Sequence, residues 1–124
     1  MTITNSNDKK TILLVDDEEP LAVFLKRLLI LRGYDVIVAH NGQEAVQTYR
    51  NNRDSIDLIL MDVVMPIMNG VEAVNEILKF TPTLPILLMS AYAKESIEGL
   101  THTKFIRKPM LPDDLFKSIE ELFL

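Results

Sequence analysis

Five residues with chemically active side chains stand at or just beyond the ends of short apolar runs in this sequence. They are Asp16, Asp17, Asp62, Ser90 and Lys108. Carboxylate oxygens are ligands that Mg²⁺ prefers, and an aspartate can attack phosphorus to form an acyl phosphate. A hydroxyl and an ammonium can stabilise phosphoryl oxygens as charge develops on them. If these side chains meet at one place, the set predicts in-line phosphoryl transfer onto Asp62.

The surrounding chain predicts that these side chains do meet. Short apolar runs, each typical of a strand buried on both faces, alternate with segments of helical periodicity. The predicted strands cover residues 11–15, 35–39, 57–61, 85–89 and 104–106. Strict alternation with short connections predicts an α/β fold: a doubly wound, five-stranded parallel sheet with helices on both faces. Ligands of such sheets bind at the carboxyl ends of the strands, which is where the active side chains stand.

Five helices are predicted from capping signals and periodicity. Pro20 lies in the first turn of the first helix, and Asn41 caps the second with Glu44 as its capping-box partner. The third helix follows the third strand, and a short, weakly patterned helix is expected near residues 93–100. The last helix starts at Pro112.

Asp57 provides a contrast within the same strand. It precedes Asp62 by five residues, so the two carboxylates would lie roughly 16 Å apart at about 3.3 Å per residue. Asp57 is therefore expected at the opposite edge of the sheet, outside the site.

Length and composition exclude several classes of protein. The chain has 124 residues and no cysteine, which fits one domain and rules out thiolate metal sites and cysteine nucleophiles. The formal charge of −5 argues against a nucleic-acid partner. No apolar run is long enough for a membrane span, and the polar opening is no secretory signal. We expect a flexible arm over residues 1–9, a domain over 10–124, no membrane partner and a cytoplasmic location.

Four segments resemble the receiver domain of two-component response regulators. They are LLVDDEE (13–19), LILMDVVMPIMNG (58–70), LLMSAYA (87–93) and FIRKPM (105–110). Each segment alone is unspecific, whereas the ordered set at the ends of strands one, three, four and five is highly specific. The resemblance implies the flavodoxin-like strand order 2-1-3-4-5.

The resemblance also implies a role for each site residue. Asp62 matches the phosphoacceptor, and Lys108 matches the lysine of the family, with a cis bond to the proline that follows it. Ser90 and Phe105 match the switch residues. The Mg²⁺ ligands would be Asp16, Asp17, Asp62 and the backbone carbonyl of Val64.

The implied partners are a histidine kinase or histidine phosphotransfer domain as donor, and a downstream protein. The downstream partner would bind the face formed by the fourth predicted helix, the fifth strand and the fifth predicted helix. Only 18 positions separate Ser90 from Lys108, so the fourth helix region is expected to be shortened. In this respect the chain resembles receivers of hybrid histidine kinases more than it resembles chemotaxis-type or DNA-binding regulators.

Two other functions stay open on the residues. A receiver-fold docking module would bind its partner without phosphorylation, and a metal-dependent hydrolase would release product repeatedly. A receiver would label itself on Asp62 and lose the phosphoryl group again, and would not be a turnover enzyme. Each residue alone also has an ordinary reading, such as helix-terminal charge for Asp16 and Asp17 or a helix cap for Ser90.

Overall fold

Five strands and four helices lie within residues 9–91 and 102–124, the residues that the computed structural model describes. The five-residue strands are β1 (Thr11–Val15), β2 (Asp35–Ala39), β3 (Leu58–Asp62), β4 (Ile86–Ser90) and β5 (Thr103–Arg107). The helices are α1 (Glu19–Arg32), α2 (Gly42–Asn52), α3 (Gly70–Leu78) and α4 (Pro112–Phe123). The helix expected near residues 93–100 lies outside the described residues.

The strands form one parallel sheet in the order β2-β1-β3-β4-β5. The α/β class and the flavodoxin-like strand order are therefore confirmed. β3 and β4 each begin one residue later than expected, after Asp57 and Pro85. The Asp57 carboxylate accepts a hydrogen bond from the Thr11 N–H at 2.8 Å, which places Asp57 at the amino-terminal edge of the sheet, as predicted.

The helices cover both faces of the sheet, and each face has its own core. Alternate residues along a strand point to opposite faces, so Leu14 and Leu60 pack with α1 and α4, whereas Leu13 and Met61 pack with α2 and α3. The core residues of α1 and α4 are Leu25, Leu29, Leu115, Phe116 and Ile119. Those of α2 and α3 are Ala45, Tyr49, Ala73, Val74 and Ile77. Because both faces are buried, the central strands β1, β3 and β4 are almost wholly apolar until their carboxyl ends.

The helices begin close to the predicted capping residues. The Asn41 side chain accepts a hydrogen bond from the Glu44 N–H at 2.8 Å, as expected for the cap of α2. The Glu44 carboxylate lies 3.4 Å from His40 Nδ1. A complete capping box occurs at α3, where Asn69 and Glu72 exchange side-chain to backbone hydrogen bonds. α3 is thereby fixed directly after the loop that follows β3.

Candidate functional site

Three polar side chains are buried in the described part of the chain, and all three lie at the carboxyl ends of neighbouring strands. Asp16 follows β1, Asp62 ends β3 and Ser90 ends β4. Burying a carboxylate costs free energy unless a cation or hydrogen bonds compensate it. Two buried carboxylates at the ends of adjacent strands therefore mark this edge as a functional site rather than a solvated set of charges.

Asp16, Asp17 and Asp62 form a compact acidic cluster. Each offers a carboxylate oxygen, and these three oxygens all lie within 4.8 Å of one another. Mg²⁺ holds oxygen ligands at about 2.0–2.1 Å, so ligands of one ion are about 3–4 Å apart. The spacing and the hard oxygen donors fit a Mg²⁺ ion after small side-chain shifts.

Lys108 brings a positive charge into this cluster from beyond β5. Its Nζ lies 3.2 Å from Asp16 Oδ2 and 3.4 Å from Asp62 Oδ2, and its side chain is only 12% exposed. The Lys108 N–H donates to the Ser90 carbonyl oxygen at 2.8 Å, which ties the residue to the end of β4. The Lys108–Pro109 bond is cis, as the resemblance implied.

The surroundings raise the pKa of both partners of the central ion pair. Burial of the carboxyl is the main cause that raises the pKa of Asp62 to about 6, and the charge of Asp16 adds to it. Lys108 and the Val64 N–H hydrogen bond oppose this rise. Burial lowers the pKa of Lys108, but the charges of Asp16 and Asp62 outweigh it, so that pKa is raised overall. Asp62 is thus a carboxyl whose ionisation depends on a nearby cation.

The remaining predicted site residues lie around this centre. Val64 is half exposed and lines the pocket above Asp62. Phe105 pairs with Leu88 in the sheet, and Ser90 lies two residues beyond Leu88. Ser90 and Phe105 therefore face the same side of the sheet, and Phe105 is packed against the α2–α3 core.

Two features near the site were not anticipated from the sequence. Glu18 points to Lys108, with Oε1 3.8 Å from Nζ, although a run of acidic residues before a helix indicated only helix-terminal charge. Ile67, in the loop after β3, has a φ of 73° and is 76% exposed. The left-handed region is unfavourable for a β-branched residue, and the sequence carries no signal for it at this position.

An apolar groove adjoins the acidic cluster. It lies between α1 and α4, has a volume of about 380 Å³ and includes Lys108 and Ala91, which also line the acidic pocket. Its other lining residues are Leu21, Phe24, Leu25, Leu28, Pro109, Met110, Pro112 and Leu115. The signal in the sequence is that α1 is apolar on more than its buried face, with Phe24 half exposed.

The chain belongs to the response regulator receiver domain family, whose sequence profile matches residues 12–120. Receiver domains are signalling modules of two-component systems, interact with histidine kinases and downstream effectors, and bind Mg²⁺ at an acidic pocket. The chain presents such an acidic cluster. The predicted family is therefore confirmed.

Individual relatives support this assignment. The chain is 34% identical to the chemotaxis protein CheY of Thermotoga maritima over 118 residues, which are 91% of this chain and 97% of that protein. It resembles CheY in the CheX–CheY–BeF₃–Mg²⁺ complex of Borrelia burgdorferi, with a TM-score of 0.85, 28% identity and coverage of 93% and 90% of the two chains. The receiver domain of the hybrid histidine kinase CckA gives a TM-score of 0.81, 30% identity and coverage of 92% and 99%.

Other curated relatives are much longer than this chain. The chain spans 34% of some of them and 10% of others. Across residues 9–91 and 102–124, no helix combines the length and apolarity that crossing a membrane requires.

Proposed function

We propose that this chain accepts a phosphoryl group on Asp62 from a phosphohistidine and thereby changes its affinity for a partner protein. The donor would be a histidine kinase or a histidine phosphotransfer domain in a cytoplasmic two-component system or phosphorelay. The observation that carries the proposal is the convergence of Asp16, Asp17 and Asp62 with the ammonium of Lys108 at one sheet edge. No simple structural role requires two buried carboxylates there.

Asp62 is the nucleophile in this proposal. One carboxylate oxygen forms a bond to phosphorus while the phosphorus–nitrogen bond of the donor breaks. The electron pair of the broken bond stays on the imidazole, which leaves neutral when its other nitrogen carries a proton. Because burial favours the protonated carboxyl, Lys108 and a bound cation are needed to keep Asp62 ionised near neutral pH.

Asp16, Asp17, Asp62 and the Val64 carbonyl would hold Mg²⁺. When bound, this ion supplies positive charge that stabilises the transferring phosphoryl group. Lys108 adds a second positive charge from within hydrogen-bond reach of Asp62. The Ser90 hydroxyl would donate to a phosphoryl oxygen.

The output would follow from the shared face of Ser90 and Phe105. Movement of Ser90 toward the phosphoryl group would vacate space on that face, into which Phe105 could rotate. The affected surface consists of β5, α4 and the helix predicted near residues 93–100. Charge-assisted hydrogen bonds of about 1.5–3 kcal/mol each would suffice to shift a two-state equilibrium.

The apolar groove between α1 and α4 would bind the donor protein while its phosphohistidine approaches Asp62. Any donor must place its phosphohistidine over Asp62, and the groove shares Lys108 and Ala91 with the acidic pocket. A helix face of the donor with apolar residues would cover Phe24 while its histidine reaches Asp62. Small phosphodonors would not need this contact.

The direct test is the intact mass of the chain after incubation with acetyl phosphate, with and without Mg²⁺. We expect a Mg²⁺-dependent gain of one phosphoryl group in the wild type and in Asp57→Asn, and none in Asp62→Asn. Asp57→Asn is the matched control because Asp57 directly precedes β3, the strand that ends at Asp62, but lies at the opposite edge of the sheet. Absence of labelling, together with partner binding that survives Asp62→Asn and that beryllofluoride does not change, would favour the docking module. Continuous hydrolysis of the donor without labelling would favour the hydrolase.

A further inference from the structure

The Glu18 side chain lies at the rim of the acidic pocket and does not cap its own helix. It is the N-cap residue of α1, yet its side chain makes no capping hydrogen bond. Its backbone N–H donates to Asp16 Oδ1 at 2.9 Å, which holds the Glu18 backbone beside the acidic cluster. The carboxylate extends instead toward Lys108, at 3.8 Å, and is 66% exposed.

Lys108 has three acidic neighbours in the described part of the chain, and they differ in one respect. Asp16 and Asp62 belong to the cluster whose oxygens could hold a divalent cation, whereas Glu18 does not. A cation bound to Asp16 and Asp62 would compete with the Lys108 ammonium for the same oxygens. The two positive charges would also repel each other. Glu18 offers Lys108 a carboxylate that the cation does not need.

We propose that Glu18 is a positioning residue for Lys108, drawing its ammonium toward the rim and so easing Mg²⁺ entry to Asp16 and Asp62. The inference rests on the metal site of the proposed function. Opposite charges about 4 Å apart at a partly exposed site attract measurably, and salt weakens that attraction. Without the Glu18 charge, Lys108 is held by Asp16 and Asp62 alone, and Mg²⁺ must displace it from both.

The test is a double-mutant cycle on the Kd of Mg²⁺, measured by calorimetric or NMR titration at low salt. The four proteins are the wild type, Glu18→Gln, Lys108→Met and the double variant, with Lys108→Gln replacing Lys108→Met if the latter does not fold. We expect Glu18→Gln to weaken Mg²⁺ binding about three- to tenfold in the wild type, but only about twofold when Lys108 is absent.

Glu19→Gln is the matched control for the loss of one charge. Glu19 is the next residue and is also exposed, but it does not line the acidic pocket. Its substitution should change the Kd of Mg²⁺ by less than about twofold under the same screening. Glu18→Asp keeps the charge and should retain part of the wild-type affinity.

The outcomes separate this inference from the proposed acceptor role. Equal effects of Glu18→Gln with and without Lys108 would show a general charge effect and overturn the positioning role, as would no effect at all. The cycle requires no phosphoryl transfer. Coupling between Glu18 and Lys108 without labelling of Asp62 would support the role of Glu18 and overturn the acceptor chemistry. Labelling of Asp62 without that coupling would support the acceptor chemistry and overturn the role of Glu18. Absence of Mg²⁺ binding in the wild type would overturn both.

Discussion

Gly70 lies directly against the backbone of Asp62. A Cβ atom at Gly70 would overlap the Asp62 carbonyl oxygen and come within 2.9 Å of Val63 Cα. The Gly70 N–H also donates to the Val63 carbonyl oxygen at 2.8 Å. The first residue of α3 is thus packed against the strand end that carries the proposed nucleophile.

Gly70→Ala should therefore disturb both stability and labelling. The added methyl group must push α3 or the end of β3 aside, at a cost of about 2–4 kcal/mol in the free energy of unfolding. Urea denaturation and the rate of acetyl phosphate labelling would measure the two effects. Gly33→Ala is the control, because Gly33 has a φ of 106° but no atom within 4 Å of its Cβ position. It should cost about 1–2 kcal/mol and leave labelling unchanged.

Asp62→Asn should stabilise the metal-free protein above pH 6. Burial raises the pKa of Asp62 to about 6, whereas in the unfolded chain it is about 4. As pH rises from about 4 to 6, the unfolded state loses this proton first, so the wild type loses stability relative to the variant. We expect Asp62→Asn to be more stable by about 1–3 kcal/mol at pH 8 in a chelator.

Urea denaturation of both proteins at several pH values would measure this difference. Asp57→Asn should not stabilise the fold, because it weakens the bond to the Thr11 N–H. Added Mg²⁺ should stabilise the wild type more than Asp62→Asn. A wild type that is more stable than Asp62→Asn at every pH without metal would contradict the raised pKa.

Ile67→Asn should stabilise the protein although it removes an apolar side chain. Ile67 adopts a φ of 73° while largely exposed, and asparagine tolerates this region better than a β-branched residue. The expected gain is about 1 kcal/mol, seen as a higher urea midpoint. Ile30→Asn is the control, since Ile30 is also exposed but lies within α1. That change should be neutral or destabilising, and a similar gain there would argue against backbone strain at Ile67.

Phe24→Ala should slow phosphoryl transfer from a protein donor but not from a small one. Phe24 lines the groove beside Lys108 and is half exposed. Loss of its contact with a donor protein should cost about 1–2 kcal/mol, or roughly five- to thirtyfold in the transfer rate. Acetyl phosphate labelling should stay within about twofold, because a small donor makes no groove contact.

Leu31→Ala is the control for Phe24→Ala. Leu31 is also on α1 and is 85% exposed, but it does not line the groove. Its substitution should leave both donors unaffected. Equal slowing of both donors by Phe24→Ala would mean that the substitution damages the site itself.

The parallel sheet and the meeting of Asp16, Asp62, Ser90 and Lys108 at its edge could be predicted from the alternation of apolar runs with helical segments, because parallel strands bring their carboxyl ends to one edge. The order of the strands was implied only by the resemblance to receiver domains. The direction of the Glu18 side chain could not be predicted, because it depends on Lys108, which is 90 positions away in the chain. The conformation of Ile67 runs against its intrinsic preference, so only the packing of the whole loop determines it.

The ion pair between Asp16 and Lys108 joins residues 92 positions apart. Closing so long a loop is slow and comes after local structure has formed. The site lacks its lysine while the chain beyond β5 is still undocked from β4, since the Lys108 N–H is held by the Ser90 carbonyl. Acceptance of a phosphoryl group would therefore report completed folding. Newly made or partly unfolded copies would not accept a phosphoryl group and would therefore send no signal. No separate mechanism would be needed to keep them inactive.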